Sequence, residues 1–322
     1  MARILTITLN PALDLNAELE RLEPGQVNRT DTTSLEPAGK GINVARVLAR
    51  LGHEVTVSGL LGTANAAPFE GLFVDEGLTD RFVRVPGRNR VNIKLAERDG
   101  RITDINSAGF EAPEDAMTRL VRELASLVPG HDAVVIGGSL PRQLAPAVVA
   151  ELVSQASRLG TPVWLDTSGE ALARGIEAQP HGIKPNLDEL ADWAGQTLAC
   201  PQQVADIATD LRAQGIAQVV VSLGAEGVLW WSANGNYQST PPRVTVRSTV
   251  CAGDTLLAAL IHGQLQSDWP IAEQLRFATA LSAECVRHAG VGDPAAPDFH
   301  SLLDQTRVHP WPGDNNNGET LS

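Results

Sequence analysis

Lysine is almost missing from this 322-residue sequence: Lys40, Lys94 and Lys184 stand against 22 arginines. Where arginine supplies the surface charge, each of the three is a candidate for a specific task. Cysteine is as scarce. Cys200, Cys251 and Cys285 are odd in number, far apart and without a C-x-x-C pair, which excludes a disulfide framework and a thiolate zinc site and fits a reducing cytoplasm. No H-E-x-x-H or paired Cys/His spacing points to zinc either. A basic surplus is also lacking. The formal charge of −13 excludes nucleic acid as a general partner but leaves room for a small anionic ligand in a local site. No apolar run approaches the ~20 residues a membrane helix needs. The opening stretch MARILTITLNPALDL is too short in its apolar part for a signal-peptide core and reads as a first strand. Two nucleotide signatures are missing: there is no G-x-x-x-x-G-K-[ST], and no G-x-G-x-x-G follows the first strand.

What is present is an alternation of short β-branched segments with longer helical ones. RILTITL, EVTVSGLLG, DAVVIGGSLP and TPVWLDTS read as strands, and AQVVVSLGAEGVLWW as strand, glycine turn, strand. GINVARVLARLG reads as a helix, with Val44, Val47, Leu48 and Leu51 on one face and Gly52 as its stop. Thr255 to about Arg287 reads as mainly helical. The rhythm predicts a mostly parallel sheet covered by helices on both faces, in one domain spanning residues 1–310. Two stretches break it, within about 12–34 and 82–107. Their alternating polar and apolar residues and turn signals predict antiparallel strands outside the main sheet, forming a small lid. Residues 311–322 are polar and rich in Gly and Asn, and are expected to form a disordered tail.

Six short constellations can carry chemistry. In STVCAGDTLLAAL, Cys251, Ala252 and Gly253 make a small-residue turn into a helix with Asp254 at its mouth. Helix starts offer unpaired N–H groups and a positive dipole end, so Asp254 either caps the helix or serves as a base beside an anion. In EPAGKGINVARV, Gly39 and Gly41 flank Lys40, with Asn43 in the first turn that follows; this suits a phosphate or hydroxyl-rich ligand, or close strand–helix packing. In TLNPALD, Asp14 lies near the end of the first strand, where parallel sheets open their crevices. KPNLDEL places Asn186 and Glu189 one turn apart, as a helix start or as ligands of a hydrated magnesium. SLGAEG (Ser222, Gly224, Ala225, Glu226, Gly227) is a turn that could follow a nucleotide or make a hairpin. GGSLP offers the hydroxyl of Ser139 at a strand end.

Taken in order, these motifs resemble the PfkB carbohydrate kinase family, which has the ribokinase fold. The resemblance runs from about Ile4 to Val308 and is most specific in AGKGINVARVLARLG and STVCAGDTLLAAL. It implies a three-layer α/β/α, ribokinase-like fold with a mostly parallel central sheet and a small β-sheet lid. It also implies a phosphotransferase that uses ATP and Mg2+ on an alcohol acceptor. TITLNPALDL, GRNRVNIKL and SLGAEG bring the chain nearest to family members that phosphorylate the 6-hydroxyl of fructose 1-phosphate. Kinases of tagatose 6-phosphate or fructose 6-phosphate are the alternatives, and a non-catalytic sugar-phosphate sensor is the rival of a different class. By resemblance, Asp254 is the base, and the amides around Cys251, Ala252, Gly253 and Asp254 form an anion hole. Asp14, Gly39, Lys40, Asn43, Arg90 and Ser139 hold the sugar phosphate. Lys184, Asn186 and the turn Ser222 to Gly227 contact the nucleotide, and Glu189 is linked to magnesium. The lid is expected to pair two subunits into a homodimer. One departure stands out: Cys251 occupies a position that is usually Gly. A Cβ there costs roughly 1 kcal/mol if φ is positive, and a thiol at a helix start is expected to have a lowered pKa.

Overall fold

Strands buried on both faces read as continuous apolar runs, because side chains alternate between the two helical layers that cover them. The computed structural model describes residues 1–311 and follows this pattern. In chain order the elements begin with β1 (Arg3–Thr8), β2 (Ala12–Leu19), β3 (Thr32–Ala38), α1 (Lys40–Arg50), β4 (Glu54–Gly62), α2 (Ala67–Asp75), β5 (Thr79–Val85), β6 (Arg90–Glu97) and β7 (Ile102–Ile105). There follow α3 (Ala116–Leu127), β8 (Ala133–Gly137), α4 (Ala147–Arg158), β9 (Val163–Asp166), α5 (Gly169–Glu177), β10 (Gly182–Ile183), α6 (Leu187–Ala194) and α7 (Pro201–Ala213). The chain closes with β11 (Gln218–Ser222), β12 (Val228–Ser232), β13 (Gly235–Thr240), α8 (Ala252–Gln264), α9 (Ile271–Cys285), α10 (Phe299–Gln305) and β14 (Arg307–Pro310). The tail expected at 311–322 lies, from 312 onward, outside the described residues.

The main sheet has ten strands in the order β14-β13-β12-β11-β10-β9-β8-β1-β4-β5. From β11 to β5 every pairing is parallel, while β12, β13 and β14 add an antiparallel edge. Alternation is visible strand by strand. Val219 and Val221 of β11 join one buried cluster with Leu152, Leu172 and Leu211, and Val220 joins another with Leu48, Leu256 and Leu281. Helices α3 to α7 thus cover one face, and α1, α2 and α8 to α10 the other. The chain runs outward from β1 to β4 and β5, then restarts at β8 on the other side of β1 and runs the opposite way. The order therefore reverses between β1 and β8, and the crevice outside their C-terminal ends is where a doubly wound sheet offers a site.

The lid is a separate four-stranded sheet, β3-β2-β6-β7. Two expectations about it need correction. The pairing of β2 with β6 is parallel, not antiparallel, because both strands leave the same edge of the main sheet in the same direction. Only β2–β3 and β6–β7 are antiparallel. The segment from residue 82 to 85 is not lid: it belongs to β5, paired with β4 at the end of the main sheet. As an edge strand it carries charge among its apolar residues, Arg81 and Arg84 on opposite faces, as a lid strand also does.

Candidate active site

Helix α8 begins one turn after the chain emerges from a loop beside the switch point. Its N-cap is Cys251, in the left-handed region at φ 66°, and Asp254 is the third helical residue. The Asp254 carboxylate makes no capping bond. It is buried and accepts a hydrogen bond from Asn43 Nδ2 at 2.7 Å, across from the first turn of α1. Burial, reinforced by the nearby Asp166 carboxylate, pushes its pKa up to about 6 against the opposing pull of Lys40, Asn43 and Lys184. The first ladder bond of the helix runs from Thr255 N–H to Cys251 O at 2.8 Å. The N–H groups of Gly253 and Asp254 therefore precede the ladder at the positive end of the helix.

Cys251 does not have the lowered pKa expected of a thiol at a helix start. Burial raises it well above the ordinary range, and the Asp254 charge adds to the rise. A left-handed backbone with a Cβ costs roughly 1 kcal/mol at this position.

Asp166 organises the far wall, and the sequence reading did not single it out. It ends β9, is almost fully buried, and binds two ammonium groups: Lys40 Nζ at 2.8 Å and Lys184 Nζ at 3.1 Å. Burial favours its neutral form, but Lys184 and Lys40 together hold its pKa below the usual value. Burial likewise works against the charge of Lys40, yet Asp166, Glu189 and Asp254 more than offset it and raise the pKa above the lysine range. Lys184 lies directly beneath the mouth of α8, since a Cβ added to Gly253 would stand 3.1 Å from its Nζ. Glycine at 253 thus lets an ammonium approach the start of α8. Gly39 is the N-cap of α1 at φ 144°, and a Cβ there would meet Thr8 Cγ2 at 3.0 Å.

The wall across from Asp166 is built from the lid and the ends of β1 and β8. Asp14 on β2 is buried and accepts from Asn92 Nδ2 at 2.9 Å. Arg90, the first residue of β6, donates through Nε to Asn10 O at 3.1 Å and is lowered by burial, with Asp14 opposing. Asn10 in turn donates to Ser139 Oγ at 3.3 Å and Leu140 O at 3.0 Å, drawing the ends of β1 and β8 together. Asn10, like Asp166, went unremarked in the sequence, although it stands beside Pro11 at the first strand end. Lys40 was expected to hold the sugar phosphate with these residues; here its ammonium pairs with Asp166, with Glu189 Oε1 at 3.6 Å, because α1 starts over the end of β8, next to β9.

At the end of β10, Asn186 and Glu189 form a reciprocal capping box for α6. Asn186 Oδ1 accepts from Glu189 N–H at 2.8 Å, and Glu189 Oε2 accepts from Asn186 N–H at 2.9 Å. The helix-start reading therefore holds for both residues, which leaves Glu189 Oε1 facing Lys40. Among the described residues no group of three or more His, Cys, Asp or Glu could enclose a metal. A magnesium ion that keeps several waters needs only one or two carboxylates and substrate phosphates, and Glu189 fits that donor set through Oε1, in exchange for its 3.6 Å approach to Lys40. Next along the edge, Ser222 ends β11 and Gly224, Ala225 and Glu226 form an exposed turn. Gly227 is dictated by packing: its φ is 105°, and a Cβ would fall 1.8 Å from Ser239 O on β13.

A buried carboxylate poised near neutrality, free amides and two ammonium groups beside it, and a polar lid opposite define a site for moving a phosphoryl group to a polyhydroxyl acceptor. The chain belongs to the pfkB family of carbohydrate kinases, whose family model matches residues 7–298. At the level of individual proteins, it is 42% identical over 309 residues to the 1-phosphofructokinase of Escherichia coli (strain K12), covering 96% of this chain and 99% of that one. It is 40% identical over 306 residues to the 1-phosphofructokinase of Vibrio cholerae, covering 95% and 96%. Among solved structures, the phosphofructokinase-2 of Escherichia coli in complex with fructose-6-phosphate superposes with a TM-score of 0.83 at 28% identity, covering 94% of this chain and 99% of that one.

Proposed function

We propose that this chain transfers the γ-phosphoryl group of ATP to the 6-hydroxyl of fructose 1-phosphate, giving fructose 1,6-bisphosphate. The observation that carries this reading is the setting of Asp254. It is buried with its pKa raised to about 6, at the head of a helix whose N–H groups are free to receive an anion. The names of the curated relatives, both 1-phosphofructokinases, support the choice of acceptor.

Each residue then has a task its position allows. Asn43 donates to Asp254 Oδ2, which fixes the carboxylate and leaves Oδ1 to take the proton of the attacking hydroxyl. The amides of Gly253 and Asp254 and the ammonium groups of Lys184 and Lys40 surround the place where charge spreads over the migrating group. Asp166 holds both lysines so that they face inward before ATP arrives. Asp14 grips sugar hydroxyls, and Arg90, with Ser139 nearby, meets the phosphate the sugar already carries. Lys184, Asn186 and the turn from Ser222 to Glu226 line the nucleotide side, since all sit on one edge of the sheet. Glu189 would hold Mg2+, which supplies charge neutralisation for the ATP oxygens when bound.

We further propose a homodimer joined through the lids. In the four-stranded sheet Leu35, Leu15, Ile93 and Ile105 lie directly opposite one another in a row, on the face turned away from Asp14. Leu35 and Ile105 are half exposed. Among the described residues no helix is long and apolar enough to cross a membrane, and the three free thiols suit a reducing compartment such as the cytoplasm.

The deciding experiment compares kcat/KM for fructose 1-phosphate, fructose 6-phosphate and tagatose 6-phosphate in a coupled ADP-release assay. Fructose 1-phosphate is expected to lead by at least about tenfold, the scale of one charge-assisted hydrogen bond. A higher value for either 6-phosphate would overturn the acceptor assignment, and no ADP release with any of them would favour a sensor.

A further inference from the structure

We infer that Lys94 is the second cation of the acceptor site, the group that with Arg90 meets the phosphate already on the sugar; this rests on the sugar-phosphate kinase reading above. The need for it follows from charge. A phosphorylated sugar brings close to two negative charges at neutral pH into a compartment that already holds Asp14 and looks toward Asp254 and Asp166. Of the three lysines, two are spent elsewhere, since Lys40 and Lys184 share Asp166. Lys94 is the one that remains, and it is on the lid.

Its placement is specific. Arg90, Asn92 and Lys94 occupy alternate positions of β6, so their side chains leave the same face of the strand, each about 7 Å from the next. Asp14 of β2 lies opposite Asn92 in the register, between the two cations. It is bonded to Asn92, 3.9 Å from Lys94 Nζ, and close enough to Arg90 to oppose the lowering of its pKa. A sugar hydroxyl held by Asp14 therefore lies between the two cations, whose long side chains reach from either side toward the phosphate beside it.

The ammonium of Lys94 is also under-used. Its side chain is 14% exposed, yet Nζ makes a single hydrogen bond, to Asp104 Oδ1 at 3.3 Å, and its approach to Asp14 is longer still. An ammonium has three donors, so two are unspent in a largely covered position. The Asp104 partner is 45% exposed, and such a pair is weak enough to be exchanged for an incoming phosphate.

The test measures KM and kcat for fructose 1-phosphate, with KM for ATP, in the wild type, Lys94→Met and Lys94→Arg. Fructose is measured as the phosphate-free acceptor, by turnover or, where turnover is too slow, by its inhibition constant against fructose 1-phosphate. Lys94→Met is expected to raise KM for fructose 1-phosphate at least about tenfold with kcat within about twofold, leaving ATP and fructose unaffected. Lys94→Arg should recover most of the loss. An unchanged KM, or an equal loss for fructose and fructose 1-phosphate, overturns the assignment, because a residue that merely braces Asp14 would penalise both. If the wild type instead prefers another sugar phosphate, the reaction proposed above fails while the same comparison on that acceptor still judges Lys94.

Discussion

Asp254 sits where a carboxylate is expensive: buried, near a second buried acid, and bonded on one oxygen only by a neutral amide. A raised pKa means its ionised form destabilises the folded chain at neutral pH. The linkage sign follows: the contribution of Asp254 to stability is best below the unfolded Asp value and declines as pH rises through about 6. Catalysis has the opposite sign, since a base must be ionised, so kcat/KM should fall as pH drops through about 6. Asp254→Asn separates the two effects. It is expected to lower kcat by at least about 10²-fold, leave ATP binding near normal, and give a thermal midpoint at pH 7.5 no lower than wild type. Near-normal turnover in that variant would remove Asp254 from the chemistry. At this scale the sequence was legible where residues announce themselves locally. Asp254 and Asn43 follow small-residue turns, and Asn186 and Glu189 share one helical turn. Asp166 carries no such mark. It is the last residue of a four-residue apolar strand, and its importance comes from Lys40 and Lys184, which only the folded sheet brings to it.

Helices α1 and α8 pack side by side and are tied at both ends. At the site end the tie is Asn43 to Asp254. At the far end His53, just beyond α1, meets His262 in the last turn of α8, with Nε2 and Nδ1 2.8 Å apart. Ala2 N–H donates to His53 Nδ1 at 3.2 Å, so that nitrogen is bare and the ring proton sits on Nε2, pointing at a bare Nδ1 of His262. Both rings must be neutral for this chain of bonds to exist. Burial, then His262 and the terminal amine, lower His53 to about 4 against a pull from Asp132. Burial and the terminal amine lower His262 as well, and Trp269 and Phe277 enclose its ring from the α9 side. The unfolded chain binds protons here that the folded one refuses, so the stabilisation is complete above the unfolded histidine value and is lost as pH falls toward about 4. Wild type should therefore lose thermal stability between pH 7 and 4.5 more steeply than His53→Gln; parallel melting curves would show the pair to be irrelevant. Element types were readable from apolar periodicity, which is why α1 and the buried strands were placed well. Direction and sheet membership were not, because an edge strand such as β5 and a lid strand such as β6 both mix charged and apolar residues.

For the molecule as a whole, the lid works as a two-sided part. Its face toward the cleft carries Asp14, Asn92 and Lys94, and its other face carries the row Leu35, Leu15, Ile93 and Ile105. A four-stranded sheet standing off the main body cannot bury both faces within one chain, and the row leaves Leu35 50% and Ile105 51% exposed. A two-fold pairing of lids would bury the same row on both copies, since such an interface is self-complementary. It would also brace the strands that carry Asp14, Arg90 and Lys94, coupling assembly to acceptor binding. Ile105→Asp places a charge in that row at an edge strand, far from the core. Sedimentation equilibrium should find wild type dimeric at micromolar concentration and the variant monomeric. The variant should show a raised KM for the sugar phosphate and an unchanged KM for ATP, whose proposed contacts lie on the main sheet. A monomeric wild type with full activity would refute both the pairing and its link to the acceptor site.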